Sequence, residues 1–305
     1  MKAVFDTKAG SRYDDEAASR YHFPKIPYLE TVKATIGDWI IYREPRENGG
    51  SMAYFGAARV AEIADDPRDP SHAYALMTNY LPFDGLVPFS SQRRYEEGPL
   101  RALTHRAGVG IALRGKSARL LADEDFAAIT LKGLSTTLAA PNATRLHLDA
   151  AEIGLAEEAA AAVEPAEKAR RVAQLLINRK IRDASFRRAV LAAYDDTCAV
   201  TGLRIINGGG RAEAQAAHIV PVAQNGLDIV QNGIALCGTA HWLFDRHLIS
   251  IGEDRRLLVA HNQLPEHLRR LFLPADNLLH LPKDERLWPS SHFLGHHREH
   301  FASAH

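Results

Sequence analysis

Between Cys198 and Asp245 the chain carries an ordered set of polar residues inside otherwise apolar segments. His218 lies in Ala216-Ala217-His218-Ile219-Val220-Pro221, Asn232 follows after 14 positions, and His241 after 9 more. Asp245 stands four residues beyond His241 in His241-Trp242-Leu243-Phe244-Asp245. On a helix that spacing puts the two side chains on one face, where both can hold a single cation. Each feature alone is commonplace. A His/Asp pair at i,i+4 is an ordinary surface pair, and a histidine in an apolar strand is commonly a satisfied core residue. The chain has 15 histidines, of which His292, His296, His297, His300 and His305 read as a polar terminal helix and tail. The joint occurrence, in this order and with these flanks, is what constrains the fold.

These residues resemble the HNH endonucleases of the ββα-metal fold, and more narrowly a bacterial restriction-type branch with an Ala-Ala-His-Ile-x-Pro strand and a His-x-Leu-Phe-Asp helix. The resemblance runs over about residues 178–260 and begins in Arg182-Asp183-Ala184-Ser185-Phe186-Arg187. It implies that His218 is the general base toward the attacking water, and that His241 and Asp245 hold one Mg²⁺, Mn²⁺ or similar divalent ion. It implies that Asn232 is part of the catalytic set, either pinning the loop between strand and helix or entering the metal's coordination shell. Two departures stand out. Ala217 occupies the position before the base, where many relatives place a metal ligand. Cys198 is followed by Thr201 and Cys237 by Ala240, so two Cys-x-x-Cys pairs have each lost a thiol, and no structural zinc is expected.

The length of 305 residues suggests two domains. Asp38–Glu44, Tyr54–Ile63 and Tyr74–Met77 read as strands separated by Gly, Asp and Pro. A short capped helix is expected around Asp123–Ile129. Acidic, alanine-rich sequence over 139–167 gives way at Lys168–Arg188 to eight cations against Asp183 alone. Lys plus Arg equals Asp plus Glu at 37 each, so any signal for an anionic partner has to be local. The cationic run is read in two ways: as phosphate contacts through Arg179, Lys180 and Arg182, or as a solvated helix face paired with the acidic segment. A second local excess includes Arg93, Arg94, Arg101, Arg106, Arg114, Lys116 and Arg119.

Tyr21-His22-Phe23-Pro24 followed by Ile36–Tyr42 resembles the N-terminal module of HNH restriction enzymes with a PUA-superfamily, EVE-like domain, over about residues 10–130. That resemblance implies a reader of 5-methyl- or 5-hydroxymethylcytosine that flips the base out of double-stranded DNA. Loop-borne Tyr13, Trp39 and Tyr80 are the expected stacking residues, and Asp14 the expected partner of the base edge. The expected architecture is α+β: a PUA-like β-barrel reader with flanking helices (1–135), a charged helical connector (136–177) and a ββα-metal HNH nuclease (178–305). The expected function is a type IV, modification-dependent restriction endonuclease of phage defence, dimeric if it cuts both strands. The rivals are an HNH nuclease whose first domain reads ordinary sequence or a partner, and a modified-DNA-binding protein whose nuclease has decayed. Two cysteines, and the lack of an uncharged run of about 18 residues, lead to the expectation of a bacterial cytoplasmic protein without a membrane span.

Overall fold

Strict alternation along the strands decides how the N-terminal part is built. A computed structural model describes residues 1–8, 13–91, 94–103, 106–139, 148–224, 226–260, 264–272 and 278–304. Arg93, Ser11, Arg12 and His305 therefore lie outside the described residues. The chain divides into two compact units, Met1–Ser185 and Phe186–His305.

In the first unit six strands among the described residues form one curled sheet: β1 (Ala3–Asp6), β2 (Arg20–Pro24), β3 (Trp39–Glu44), β4 (Ala53–Asp65), β5 (His72–Pro88) and β6 (Ala118–Leu120). Their order is β2-β5-β4-β3-β1-β6. β1 runs parallel to β3 and the other pairings are antiparallel, with register shifts in β4 and β5 that bend the sheet. Successive side chains face opposite ways, so both faces are apolar. Ile40, Tyr42, Phe5, Tyr21 and Phe23 pack on one face, with Tyr28 and Val32 of α1 (Lys25–Lys33) laid against them. Trp39, Ile41, Val4 and Tyr54 pack on the other face against α2 (Asp123–Gly133). Sheet residues such as Trp39 and Tyr80 thus sit within strands, not loops.

Two further helices, α3 (Ala150–Ala161) and α4 (Pro165–Ile177), complete that second core. Ala156 and Ala159 of α3, and Val172, Leu175 and Leu176 of α4, are buried in it. Within the stretch expected as a connector, α3 and α4 thus contribute buried residues to the core of the first unit. Asp149 starts α3 with a capping box: its carboxylate accepts from Ala151 N, and the Glu152 carboxylate accepts from Asp149 N. Asn178 interrupts the cationic run, which splits into α4 and α5 (Arg179–Ala193). A buried ionic group ties β6 into the sheet, with Arg119 3.0 Å from Asp6 and hydrogen-bonded to Glu97 at 2.7 Å. Among the described residues no helix is long and apolar enough to cross a membrane.

The second unit contains the hairpin β7 (Gln215–His218) and β8 (Gly233–Leu236), then α6 (Gly238–Asp245), the pair β9 (Ile249–Ile251) and β10 (Leu257–Val259), and α7 (Ser291–Ala304). Its core joins Phe186, Val190 and Tyr194 of α5 to Ile219, Ile234, Leu236, Leu243, Phe244 and Ile249.

Candidate active site

His218 ends β7 and is paired in register with Gly233 of β8. A Cβ at Gly233 would come within 2.4 Å of Val190 Cγ2 and 3.1 Å of Phe186 Cζ. The absence of a side chain there lets α5 close onto the hairpin, and Phe186 stacks on the His218 imidazole with ring centres 3.8 Å apart and planes 10° apart. Asp228 Oδ1 lies 3.0 Å from His218 Nε2. A carboxylate only accepts, so Nε2 carries the proton and Nδ1 presents the lone pair. Ring stacking and the carboxylate together fix the orientation of the imidazole and leave its lone pair on Nδ1. Asp228 is buried.

Asn232 is fully buried and holds the loop between β7 and β8. Its Oδ1 accepts from Val220 N at 2.9 Å, while its Nδ2 donates to Val220 O at 3.0 Å and Leu227 O at 2.9 Å. Those bonds satisfy both ends of the amide inside the loop that carries Asp228. The segment it pins joins the two strands, whereas the expectation put the pinned segment between strand and helix. Gly226 lies so close to Val220 O that a Cβ would stand 1.8 Å from it, which explains the glycine in this tight return.

α6 follows β8 directly. Glu213 Oε1 accepts from Gly238 N at 2.8 Å, which anchors the helix start to the chain leading into β7. One helical turn apart, His241 Nε2 and Asp245 Oδ2 are 3.5 Å from each other. The other ring nitrogen, Nδ1, lies 3.0 Å from Gln215 Oε1 on β7. Asp245 is half exposed, so its carboxylate keeps open coordination positions. One imidazole nitrogen and one hard carboxylate oxygen facing each other suit a Mg²⁺-type ion that keeps several waters or substrate oxygens. Among the described residues no group of three or more His, Cys, Asp or Glu side chains is placed to hold a metal. Ala217 is buried and offers no ligand.

The remaining expected site residues are dispersed. Tyr13 contacts His22 edge-on at 5.7 Å and His72 at 6.0 Å. Asp14 is exposed and bonded to Arg20 at 3.0 Å. Trp39 is 4% exposed and belongs to the helix-covered core. Tyr80 packs against the other core, 6.2 Å from Tyr42, which stacks on Phe55 at 5.6 Å. The buried Tyr42 hydroxyl has no hydrogen-bond partner among the described residues. Asp15, electrostatically coupled to Tyr42, is pushed up to about 6 by burial, against the His22 N–H that it accepts.

Of the expected phosphate contacts, Arg179 pairs with Asp183 at 3.1 Å and Lys180 with Asp149 at 2.6 Å, while Arg182 Nη1 donates to Asn79 Oδ1 at 2.7 Å. In the second basic excess, Arg101 is bound to Asp125 and Arg119 to Asp6 and Glu97. Cys198 and Cys237 are free and buried; their thiols hydrogen-bond, and Thr201 Oγ1 lies 3.9 Å from Cys237 Sγ. Sequence reasoning missed Asp228, Phe186 and Gln215. The first two touch His218 only after the chain has folded, and no spacing rule marks them.

An HNH endonuclease family model matches residues 198–252. No curated protein matches. Among solved structures, the chain is similar to a modification-dependent TagI restriction endonuclease at 13% identity and TM-score 0.31, covering 97% of this chain and 80% of that one. It is similar to Rpa0253 from Rhodopseudomonas palustris at 14% identity and TM-score 0.32, covering 43% of this chain and 92% of that one. The type IV phosphorothioation-dependent restriction endonuclease ScoMcrA shows 16% identity and TM-score 0.20, with 88% of this chain covered but only 52% of that one.

Proposed function

From a chain that carries an HNH endonuclease domain at residues 198–252, we propose a type IV restriction endonuclease that reads a modified cytosine in DNA with its first unit and hydrolyses phosphodiester bonds with its second. The observation that supports the nuclease half is that β7 carries both His218, oriented by Asp228 and Phe186, and Gln215, which bonds His241 one turn from Asp245 on α6. His218 Nδ1 takes the proton of the attacking water, Asp228 stabilises the imidazolium that results, and Asn232 keeps Asp228's loop in place. A divalent ion on His241 and Asp245 would supply charge neutralisation for the phosphorane and the leaving 3′ oxygen. With one such site per chain, cutting both strands calls for a homodimer.

The reader half rests on the resemblance over residues 10–130 and on the aromatic cluster around Tyr42 of the sheet. There the half-buried Tyr80 and Phe55 offer aromatic surface, Asp15 a carboxyl that is partly protonated near pH 6, and buried Tyr42 a hydroxyl without a hydrogen-bond partner among the described residues. Tyr13, beside His22 and His72, and Asp14, on Arg20, are proposed as further contacts to the base. A flipped base needs both a stacking surface and polar partners for its edge.

The test is digestion of matched plasmids carrying cytosine, 5-methylcytosine or 5-hydroxymethylcytosine, with and without Mg²⁺, by the native chain and by His218→Ala. Expected is cleavage of a modified plasmid only, requiring the metal and abolished by the substitution. Equal cleavage of all three plasmids would replace the reader with a sequence- or partner-reading domain. Absence of cleavage by the native chain, with selective binding retained, would establish the decayed-nuclease alternative.

A further inference from the structure

Resting on the proposed metal role of His241 and Asp245, we infer that Gln215 is a positioning residue that fixes the proton of His241 on Nδ1 and so turns the Nε2 lone pair toward Asp245. Gln215 opens β7, opposite Leu236 in register. It stands two residues before Ala217, so the two share a strand face. From this face Gln215 reaches to α6.

Its Oε1 lies 3.0 Å from His241 Nδ1. An amide oxygen only accepts, so Nδ1 is the protonated nitrogen and Nε2 is left with a lone pair. With the ring neutral, that lone pair then faces Asp245 Oδ2 at 3.5 Å, two acceptors with no hydrogen between them. They repel each other unless a cation sits between them. Without Gln215 the other tautomer is favoured: Nε2–H would donate to Asp245 and close the pair on itself, removing both ligands at once. Glu213 supports this arrangement, since its bond to Gly238 N at 2.8 Å holds α6 against the same stretch of chain. With only two side-chain ligands, the orientation of each carries a larger share of the affinity, as is general for outer groups that fix the tautomer of a ligating histidine.

The experiment measures the tautomer and the metal separately. ¹⁵N-histidine-labelled full-length protein without metal is examined at about pH 8, above the histidine titration range, with the His241 signals assigned by their loss in His241→Gln. Mn²⁺ binding is followed by calorimetry. The native chain should show His241 protonated at Nδ1. Gln215→Leu, an exposed position on which folding does not depend, should lose that preference and bind Mn²⁺ about 10- to 100-fold more weakly. Gln215→Glu should keep the tautomer and restore Mn²⁺ binding. Asp245→Ala should weaken Mn²⁺ binding while leaving the tautomer intact. A native His241 protonated at Nε2, or a Gln215→Leu chain that binds Mn²⁺ within twofold of native, would overturn the inference. A native chain with the expected tautomer but no Mn²⁺ binding would instead overturn the metal role on which it rests.

Discussion

For a neutral histidine, the residue that faces one ring nitrogen decides where the proton sits. Asp228 leaves the His218 lone pair on Nδ1, and Gln215 leaves that of His241 on Nε2. His297 shows the structural variant of the same logic. It is 3% exposed, stacks on Phe244 with ring centres 3.8 Å apart, donates from Nε2 to Phe244 O and accepts at Nδ1 from Ser250 Oγ. Burial, reinforced by His247, His300 and His296, pushes its imidazole down to about 4 despite the bond to Phe244 O. The unfolded chain protonates this side chain near pH 6.5, so its contribution is complete above that pH. It should fall by up to about 3 kcal/mol as pH drops from 6.5 to about 4, and level off below. Denaturant midpoints across that range, native against His297→Gln, check this: the variant should lack the extra acid sensitivity, and parallel curves would contradict it.

At the scale of elements, the cationic run is two helices whose charges are already engaged. Arg170 and Arg171 pair with Glu167, and Arg171 also with Glu158 of α3; Lys180 reaches Asp149 and Glu152 at the start of α3. This acidic-to-basic pairing was one of the two readings open from the charge pattern. It does not remove phosphate binding, because Arg179 and Lys180 are more than half exposed and such surface pairs contribute only about 0.2–1 kcal/mol each, an energy that a DNA phosphate can replace. Replacing Arg179 and Lys180 with Gln should weaken binding to modified and unmodified duplex alike, and lower the log–log salt slope by up to about 0.9 per lost contact. Fluorescence titrations over a salt series measure it, and an unchanged slope would assign these cations to α3 alone. Arg182 is a poor probe of the same idea, since its bond to Asn79 fastens α5 to β5.

For the whole molecule, each unit closes its own core, and the proposed chemistry divides along the same line. The full chain carrying His218→Ala should therefore bind duplex with 5-methyl- or 5-hydroxymethylcytosine more tightly than plain duplex at one salt concentration. Equal affinities in a gel-shift comparison would refute the reader while leaving the nuclease. The strand read at 38–44 matches β3 from Trp39 on, those read at 54–63 and 74–77 lie within β4 and β5, and the helix read at 123–129 lies in α2. Alternation of apolar residues and helix-start acids act within one element, so they are visible in linear order. The i,i+4 relation of His241 to Asp245 is local in the same way, as is the order His218, Asn232, His241. Tertiary structure alone decided that Trp39 joins the core built with α2 while Tyr80 packs with Tyr42 in the other core, because the element that covers each sheet face is set by packing between elements. It alone brought Asp228 to His218, Gln215 to His241 and Lys180 to Asp149. A hydrogen bond or ion pair across 10, 26 or 31 residues depends on how separate elements pack, and that packing is set by the sum of the buried apolar contacts, not by any of the polar partners it joins.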